Sequence, residues 1–205
     1  MDKIKLYGVA NSRALRSLWA IEECGVEYQQ ITTGFMEEAK TEDYLAINPN
    51  GKIPTLVDGD LVLFESMAIN LYLARRYATS LYPADRAREA LAVQWSIWAI
   101  SELEPPQMEM VIDMFMTPKE QRSGDTRRRA ERKLEGPLAV LDGHLAKNEW
   151  LVSEKFSIAD LNVAAVMQLL KLVKFDYSDF SHVRKWAALC YSRPAFSRAK
   201  TAGSD

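Results

Sequence analysis

At 205 residues the chain is longer than one small domain and long enough to bury a sizeable core. With 48% hydrophobic residues, 26% charged residues and a formal net charge of -2, it reads as an ordinary globular protein. Nothing in that balance points to nucleic acid or to an anionic membrane surface as a partner. Cys24 and Cys190 fit neither a disulfide framework nor a metal-ligand spacing, and His144 and His182 stand alone, so no metal is expected. The N-terminus lacks the basic-then-apolar layout of a signal peptide. The apolar stretch over residues 163–173 is too short to span a bilayer and is broken by Gln168 and Lys171, so a cytoplasmic location without membrane contact is expected.

Residues 3–9 alternate well enough for a first strand. Asn11 and Ser12 then precede Leu15, Leu18, Trp19 and Ile21, which recur at helical spacing before Gly25. A second strand is predicted over residues 28–32 and an irregular helix over 36–47, stopped by Asn48-Pro49 because the residue before a proline is pushed out of the helical region. Asn50-Gly51 marks a turn, and Ile53-Pro54 leads into an alternating run over 55–64 that reads as a hairpin around Asp58, Gly59 and Asp60. Glu65-Ser66 closes the hairpin and opens a helical run with Met67, Ile69, Leu71 and Tyr72, which makes Ser66 the expected N-cap at a positive helix end. The element order is βαβαββα, with parallel strands joined by a helix and then an antiparallel hairpin.

A proline and a shift of composition around Leu81, Tyr82 and Pro83 mark the best linker, which places a first domain at residues 1–79, a linker at 80–88 and a second domain at 89–205. The second domain shows no β alternation. Helical spacing runs over 88–116, 125–147, 157–173 and 181–191, with Pro105-Pro106, Pro118 and Gly136-Pro137 as interruptions. Ser157 followed by Asp160 reads as a capping-box start ahead of an apolar run. The basic run over residues 127–133 carries Glu131 at a helical period and reads as a solvated helix face.

The string from Asn48 to Pro54, the hairpin with its Asp58-Gly59 turn and the Glu65-Ser66 pair at a helix start together resemble the cytosolic glutathione S-transferase family, of the bacterial type and a Ser-using theta-like or related class. Ser157, Ile158, Ala159 and Asp160, with Trp186 and the stretch Ser192 to Phe196, resemble that family's later elements, so the likeness covers nearly the whole chain. The resemblance implies a thioredoxin-like α/β N-terminal domain and an all-α C-terminal domain. It also implies a cis Pro54 and glutathione as co-substrate. In that reading the backbone of Ile53 pairs with the cysteinyl part, Glu65 and Ser66 hold the γ-glutamyl end, and Lys40 and Lys52 reach toward the glycyl carboxylate.

Physical chemistry agrees with parts of that assignment. A helix N-terminus with Ser66 suits an α-carboxylate, and Glu65 can take an ammonium. Members of the family activate the thiol near the start of the first helix, so the resemblance makes Tyr7, Asn11 and Ser12 the candidates. Ser12, followed four residues later by Arg16, is preferred, because Tyr7 lies inside the first strand where its ring packs. The expected activity is conjugation of glutathione to a small hydrophobic electrophile, carried by a homodimer. The electrophile would rest on the stretch that holds Trp98, Met108, Met110, Met114 and Phe115. Two other readings stay open: glutathione-disulfide or peroxide reduction led by Asn11, and a non-catalytic interaction module on the same fold.

Overall fold

The computed structural model describes residues 3–78 and 80–203, so residue 79, the expected end of the first domain, lies outside them. The chain divides into two compact units, one running to Ala84 and taking up the segment from Ser192 onward, the other spanning Asp85–Tyr191.

In the first unit β1 (Ile4–Tyr7) runs parallel to β2 (Tyr28–Ile31), with α1 (Ala14–Cys24) as the crossover. A single 3-10 turn (Glu38–Lys40) and α2 (Glu42–Ile47) replace the one irregular helix expected over 36–47. The break falls at Thr41, whose hydroxyl accepts from the Tyr44 N–H and caps α2. The hairpin follows as β3 (Thr55–Asp58) and β4 (Leu61–Phe64), then α3 (Ser66–Tyr77). The strand order is β2-β1-β3-β4, and only β1 with β2 is parallel. Leu6 and Leu56 face each other across β1 and β3, both fully buried, and Leu18, Ile21, Ile69 and Leu73 from α1 and α3 are buried as well. Each such side chain is worth roughly 1.5–3 kcal/mol of burial.

The second unit opens on α4 (Arg86–Trp98), whose N-cap Asp85 accepts from the Arg88 N–H. A widened turn over Ala99–Leu103 leads into α5 (Glu104–Val111), and a second over Ile112–Met116 ends ahead of Pro118. Pro105 and Pro106, expected as an interruption, sit in the first turn of α5. The Glu104 N–H reaches back to the Ala99 carbonyl, and the Gln107 side-chain amide donates to the Leu103 carbonyl at 2.8 Å. The missing proline N–H groups therefore fall where a helix start leaves donors unpaired anyway. The expected break at Gly136-Pro137 is likewise absent, because α6 (Gly124–Leu145) continues through it. Gly136 has no Cβ to clash with the proline ring, and Leu134, Leu138, Leu141 and Leu145 hold one face of the helix in the core on both sides of it.

Helix α7 (Ile158–Leu172) is the axis of this unit, buried almost all round for its first three turns. Its two buried polar residues are both paired. Asn162 donates to the Ser96 hydroxyl at 2.8 Å, and the Asp160 carboxylate accepts from the Leu151 N–H, the Trp186 indole and both the N–H and the hydroxyl of Ser157. Helix α8 (Ser181–Tyr191) is capped from another element, since Asp142 of α6 accepts from the N–H groups of His182 and Val183 at 2.9 and 3.0 Å.

The last helix, α9 (Pro194–Thr201), corrects the expected second domain of 89–205, because the segment from Ser192 belongs to the first unit. Phe196 packs on Trp19 with ring centroids 4.7 Å apart, Arg193 pairs with Glu23 and Arg198 with Glu22. Proximity in sequence to the other helices pointed to the wrong partner. The complementary charges on α1 fix the right one.

Candidate active site

Three segments meet at one end of the sheet. Tyr7, the last residue of β1, pairs with Thr55, the first of β3, and Thr55 pairs with Phe64, the last of β4. The stretch leading to α1, the Ile53-Pro54 element and the Glu65-Ser66 pair therefore all leave from this row, and α1 and α3, which pack together, both begin beside it. Gly8 sets the closeness of the first two. Its φ is 142°, and a Cβ built there would fall 2.5 Å from the Ala14 Cβ, with the Ile53 Cβ already at contact distance, 3.5 Å, so a side chain would push the start of α1 away. Both helix beginnings carry partial positive charge toward the row.

Ser12 is half-buried two residues ahead of α1, and its carbonyl accepts from the Leu15 N–H at 3.1 Å. Its hydroxyl donates to the Val9 carbonyl at 2.7 Å and accepts from the Ala14 N–H at 3.1 Å, so it does the capping, while Asn11 is exposed. The Val9 carbonyl also accepts from the Ser12 N–H at 3.2 Å. Turning the hydroxyl proton to a ligand thus leaves that carbonyl paired. Tyr7 packs as expected, its ring 5.8 Å from that of Tyr44, in a cluster with Ala39 and Ile53.

The Ile53-Pro54 peptide bond is cis, and the sheet register begins only at Thr55, so Ile53 stands outside the ladder. A polar network that the sequence reading missed shapes this loop. Asn48, there only a helix stop, is 1% exposed and donates to the Lys52 carbonyl at 2.8 Å and to the Thr55 hydroxyl at 3.0 Å. The Tyr44 hydroxyl meets the same two oxygens, each at 2.7 Å. The signal available was the Asn in Asn-Pro, whose side chain can bond backbone two residues on, as it does here to the Asn50 N–H at 3.1 Å.

The Lys40 ammonium donates to the Gly51 carbonyl at 2.6 Å and so tethers the loop, whereas Lys52 is exposed. Gly51 has φ 55° and no room for a side chain, since a Cβ would lie 2.8 Å from the Ala39 carbonyl oxygen.

Glu65 differs from expectation. It, not Ser66, holds the N-cap position of α3, at φ 70° and ψ 112°, with its side chain exposed and its carbonyl accepting from the Ile69 N–H at 3.0 Å. Ser66 is the first helical residue and is 7% exposed. A left-handed non-glycine residue costs of order 1–3 kcal/mol and persists where the surroundings hold it for a purpose. Cys24 is no rival nucleophile, because burial, with Glu23 nearby, pushes its thiol up to about 12.

Residues 2–75 match the family model "Glutathione S-transferase, N-terminal domain", and residues 105–194 match "Glutathione S-transferase, C-terminal domain". Glutathione S-transferase 3 of Zea mays is 33% identical over 98% of this chain and 95% of its own length. Glutathione S-transferase GstB of Escherichia coli K12 is 32% identical over 94% and 95%. The theta-class glutathione S-transferase of Xanthomonas axonopodis pv. citri, solved with glutathione bound, superposes with a TM-score of 0.90 at 32% identity over 100% of both chains. The chain belongs to the glutathione S-transferase family.

Proposed function

We propose that the protein is a glutathione transferase that binds the tripeptide along the row of segments at the end of the sheet and activates its thiol with Ser12. The observation that carries this reading is the left-handed, exposed Glu65 at the mouth of α3, in the same row as Ile53 and the start of α1. In this arrangement Glu65 takes the γ-glutamyl ammonium. Ser66 and the first free N–H groups of α3 take the neighbouring α-carboxylate. The unladdered backbone of Ile53, next to Pro54, pairs with the cysteinyl unit as an added strand would. Lys52, and Lys40 with the protons it does not spend on Gly51, face the glycyl carboxylate.

Ser12 then donates its hydroxyl proton to the sulfur, and the positive end of α1 favours thiolate over thiol. The effect is bounded. Lowering a thiol from about 8.5 to about 6.5 raises the thiolate fraction at neutral pH ~24-fold, while a Brønsted slope near ~0.45 removes ~8-fold of intrinsic reactivity. The net gain of about threefold leaves most of the acceleration to holding an electrophile beside the sulfur and stabilising the charge that develops. A small hydrophobic electrophile suits Trp98, Met108, Met114 and Phe115, which keep some exposure. Met110 is 1% exposed and serves the core instead.

The working form is proposed to be a cytoplasmic homodimer. Apolar side chains exposed at Leu91 and Ile97 of α4 and at Ile100 beyond it support a covered face, as do Leu61, Val62 and Phe64 of the edge strand β4. Glu104 is 7% exposed, which leaves the exposed Glu102 as the carboxylate able to reach a partner's ligand. Light scattering that returned a single-chain mass at micromolar concentration would remove the dimer.

Calorimetry with glutathione, together with turnover of chlorodinitrobenzene and of mixed disulfides, tests the main reading. Glutathione should bind and conjugation should exceed disulfide reduction. Absence of glutathione binding would leave only an interaction module.

A further inference from the structure

The loop that carries Ser12 is pinned to β2 at its first residue. Pairing between β1 and β2 ends at Tyr7 and Ile31. Gly8, the next residue, keeps both of its backbone groups on β2: its N–H donates to the Ile31 carbonyl at 3.0 Å, and its carbonyl accepts from Nε2 of the Gln30 side chain at 2.9 Å. We propose that Gln30 is a positioning residue for the thiol chemistry, holding through Gly8 the loop on which the Ser12 hydroxyl turns. The proposal rests on the reading of Ser12 as the donor to the sulfur.

The coupling runs along a few residues of backbone. Gly8 stands at φ 142°, in a region open to glycine, so sterics alone do not fix the peptide plane that follows it. The bond from Gln30 to the Gly8 carbonyl sets that plane. The next carbonyl along, that of Val9, accepts the Ser12 N–H at 3.2 Å and the Ser12 hydroxyl at 2.7 Å, so Ser12 takes its place from Val9 and Val9 from Gly8. Once Gln30 lets go, the plane can turn and carry the hydroxyl with it. A misplacement of ~1 Å can cost on the order of 10²-fold in rate, so a small turn suffices.

Gln30 is itself braced. Its backbone lies in the ladder opposite Leu6 and its residue is half-buried. The segment beyond α9 passes so close that a Cβ built on Gly203, at φ 71°, would stand 3.0 Å from both Nε2 and Oε1 of the Gln30 amide. A glutamine on an edge strand ordinarily spreads over several rotamers in water. Packed under Gly203, this one keeps the rotamer that reaches Gly8.

The experiment titrates the thiolate absorbance of bound glutathione against pH in the full chain as wild type, Gln30→Met, Ser12→Ala and the double variant, with Gln29→Met as control. Methionine keeps the length of the side chain and removes its N–H donors, and Gln29 is an exposed neighbour on the same strand. In Gln30→Met the pKa of the bound thiol should rise by about 0.5 to 1 and turnover should fall with it. Glutathione affinity should hold within about threefold, because Ile53, Glu65 and Ser66 lie on other segments. Gln29→Met should change neither. In the Ser12→Ala background Gln30→Met should add almost nothing, since the donor it places is gone. If Ser12→Ala moves the thiol and Gln30→Met does not, or if Gln30→Met acts as fully without Ser12 as with it, or if Gln29→Met acts equally, the proposal is overturned and Ser12 keeps its role. A thiol that Ser12→Ala itself leaves unmoved overturns both.

Discussion

Arg193 closes a two-point ion pair on Glu23, Nε to Oε1 at 2.6 Å and Nη2 to Oε2 at 2.7 Å, between residues 170 positions apart in the chain. The Glu23 side chain is only 7% exposed and also accepts from the Trp19 indole, so losing the arginine would leave a nearly buried carboxylate without its ion-pair partner. Arg193→Ala should therefore cost about 2 kcal/mol, less than a fully buried pair because Arg193 itself is one-third exposed. Arg193→Lys should recover little, since an ammonium cannot make both bonds in the fork geometry. Urea denaturation followed by tryptophan fluorescence checks this. An unchanged midpoint for Arg193→Ala would show that this ion pair adds nothing to the first unit.

Asp160 carries more than its sequence context indicated. A helix cap alone is worth about 1 kcal/mol. Here burial pushes the carboxyl above its ordinary range, and four donors, from Trp186, Leu151 and Ser157, work against that shift. Asp160→Ala strands those donors inside the second unit and should cost about 3 kcal/mol or more. Glutathione affinity per folded molecule should be unchanged. A loss near that of a simple cap would show that the donors find other partners.

Asp142 gives a pH dependence with a definite sign. Partial burial raises its carboxyl, but the His182 ring and the N–H groups of Val183 and His182 outweigh that and hold it below the ordinary aspartate range. A depressed carboxylate contributes stability that is fully present above the unfolded value and is lost as the pH falls through the folded one. The denaturation midpoint should thus drop on acidification below about 4. In Asp142→Asn the midpoint should be lower at neutral pH and the acid drop smaller. Parallel wild-type and variant curves down to that range would rule out the cap on α8 as the source.

Much of this architecture was legible in the chain because its signals are local. The Asp58-Gly59 turn, the Asn48-Pro49 stop and the Ser157 to Asp160 start each act within a few residues, and the structure has a hairpin, a loop and a helix start there. What was hidden depended on distant partners. Pro105-Pro106 and Pro137 looked like breaks because their compensation lies in a widened turn before α5 and in the burial of α6's own leucines, which depends on the elements they pack against. Helix α9 looked like the end of the helical domain because Glu22 and Glu23, its partners, stand some 170 residues away. In the candidate site, residue order alone set Ile53 and the Glu65-Ser66 pair beside the hairpin, and the structure has them in one row at the end of the sheet. The left-handed backbone of Glu65 and the tether from Lys40 to Gly51 could not be read that way, since neither follows from residue type.

Glu65 should show a trade between stability and binding. Glu65→Gly relieves a φ of 70° that a side chain rarely adopts, so stability should hold or rise by up to ~1 kcal/mol. The same change removes a charge-assisted contact worth roughly 1.5–3 kcal/mol, so glutathione affinity should fall about tenfold or more. Calorimetry beside thermal denaturation reads both quantities. Loss of stability with affinity intact would assign Glu65 to the fold and not to the ligand.

The assignment of Ser12 as the group that activates the thiol is tested most directly by titrating the thiolate absorbance of bound glutathione against pH in the wild type, Ser12→Ala and Asn11→Ala. Ser12→Ala removes the donor and also the cap on Ala14, so it should lose about 1 kcal/mol of stability while retaining glutathione affinity. The pKa of its bound thiol should rise toward the free value near ~8.5, with turnover falling alongside. Asn11→Ala should leave the bound thiol where the wild type has it. If Ser12→Ala leaves that pKa unmoved and Asn11→Ala raises it, Asn11 is the activating residue, and reduction of glutathione disulfides replaces conjugation as the leading activity.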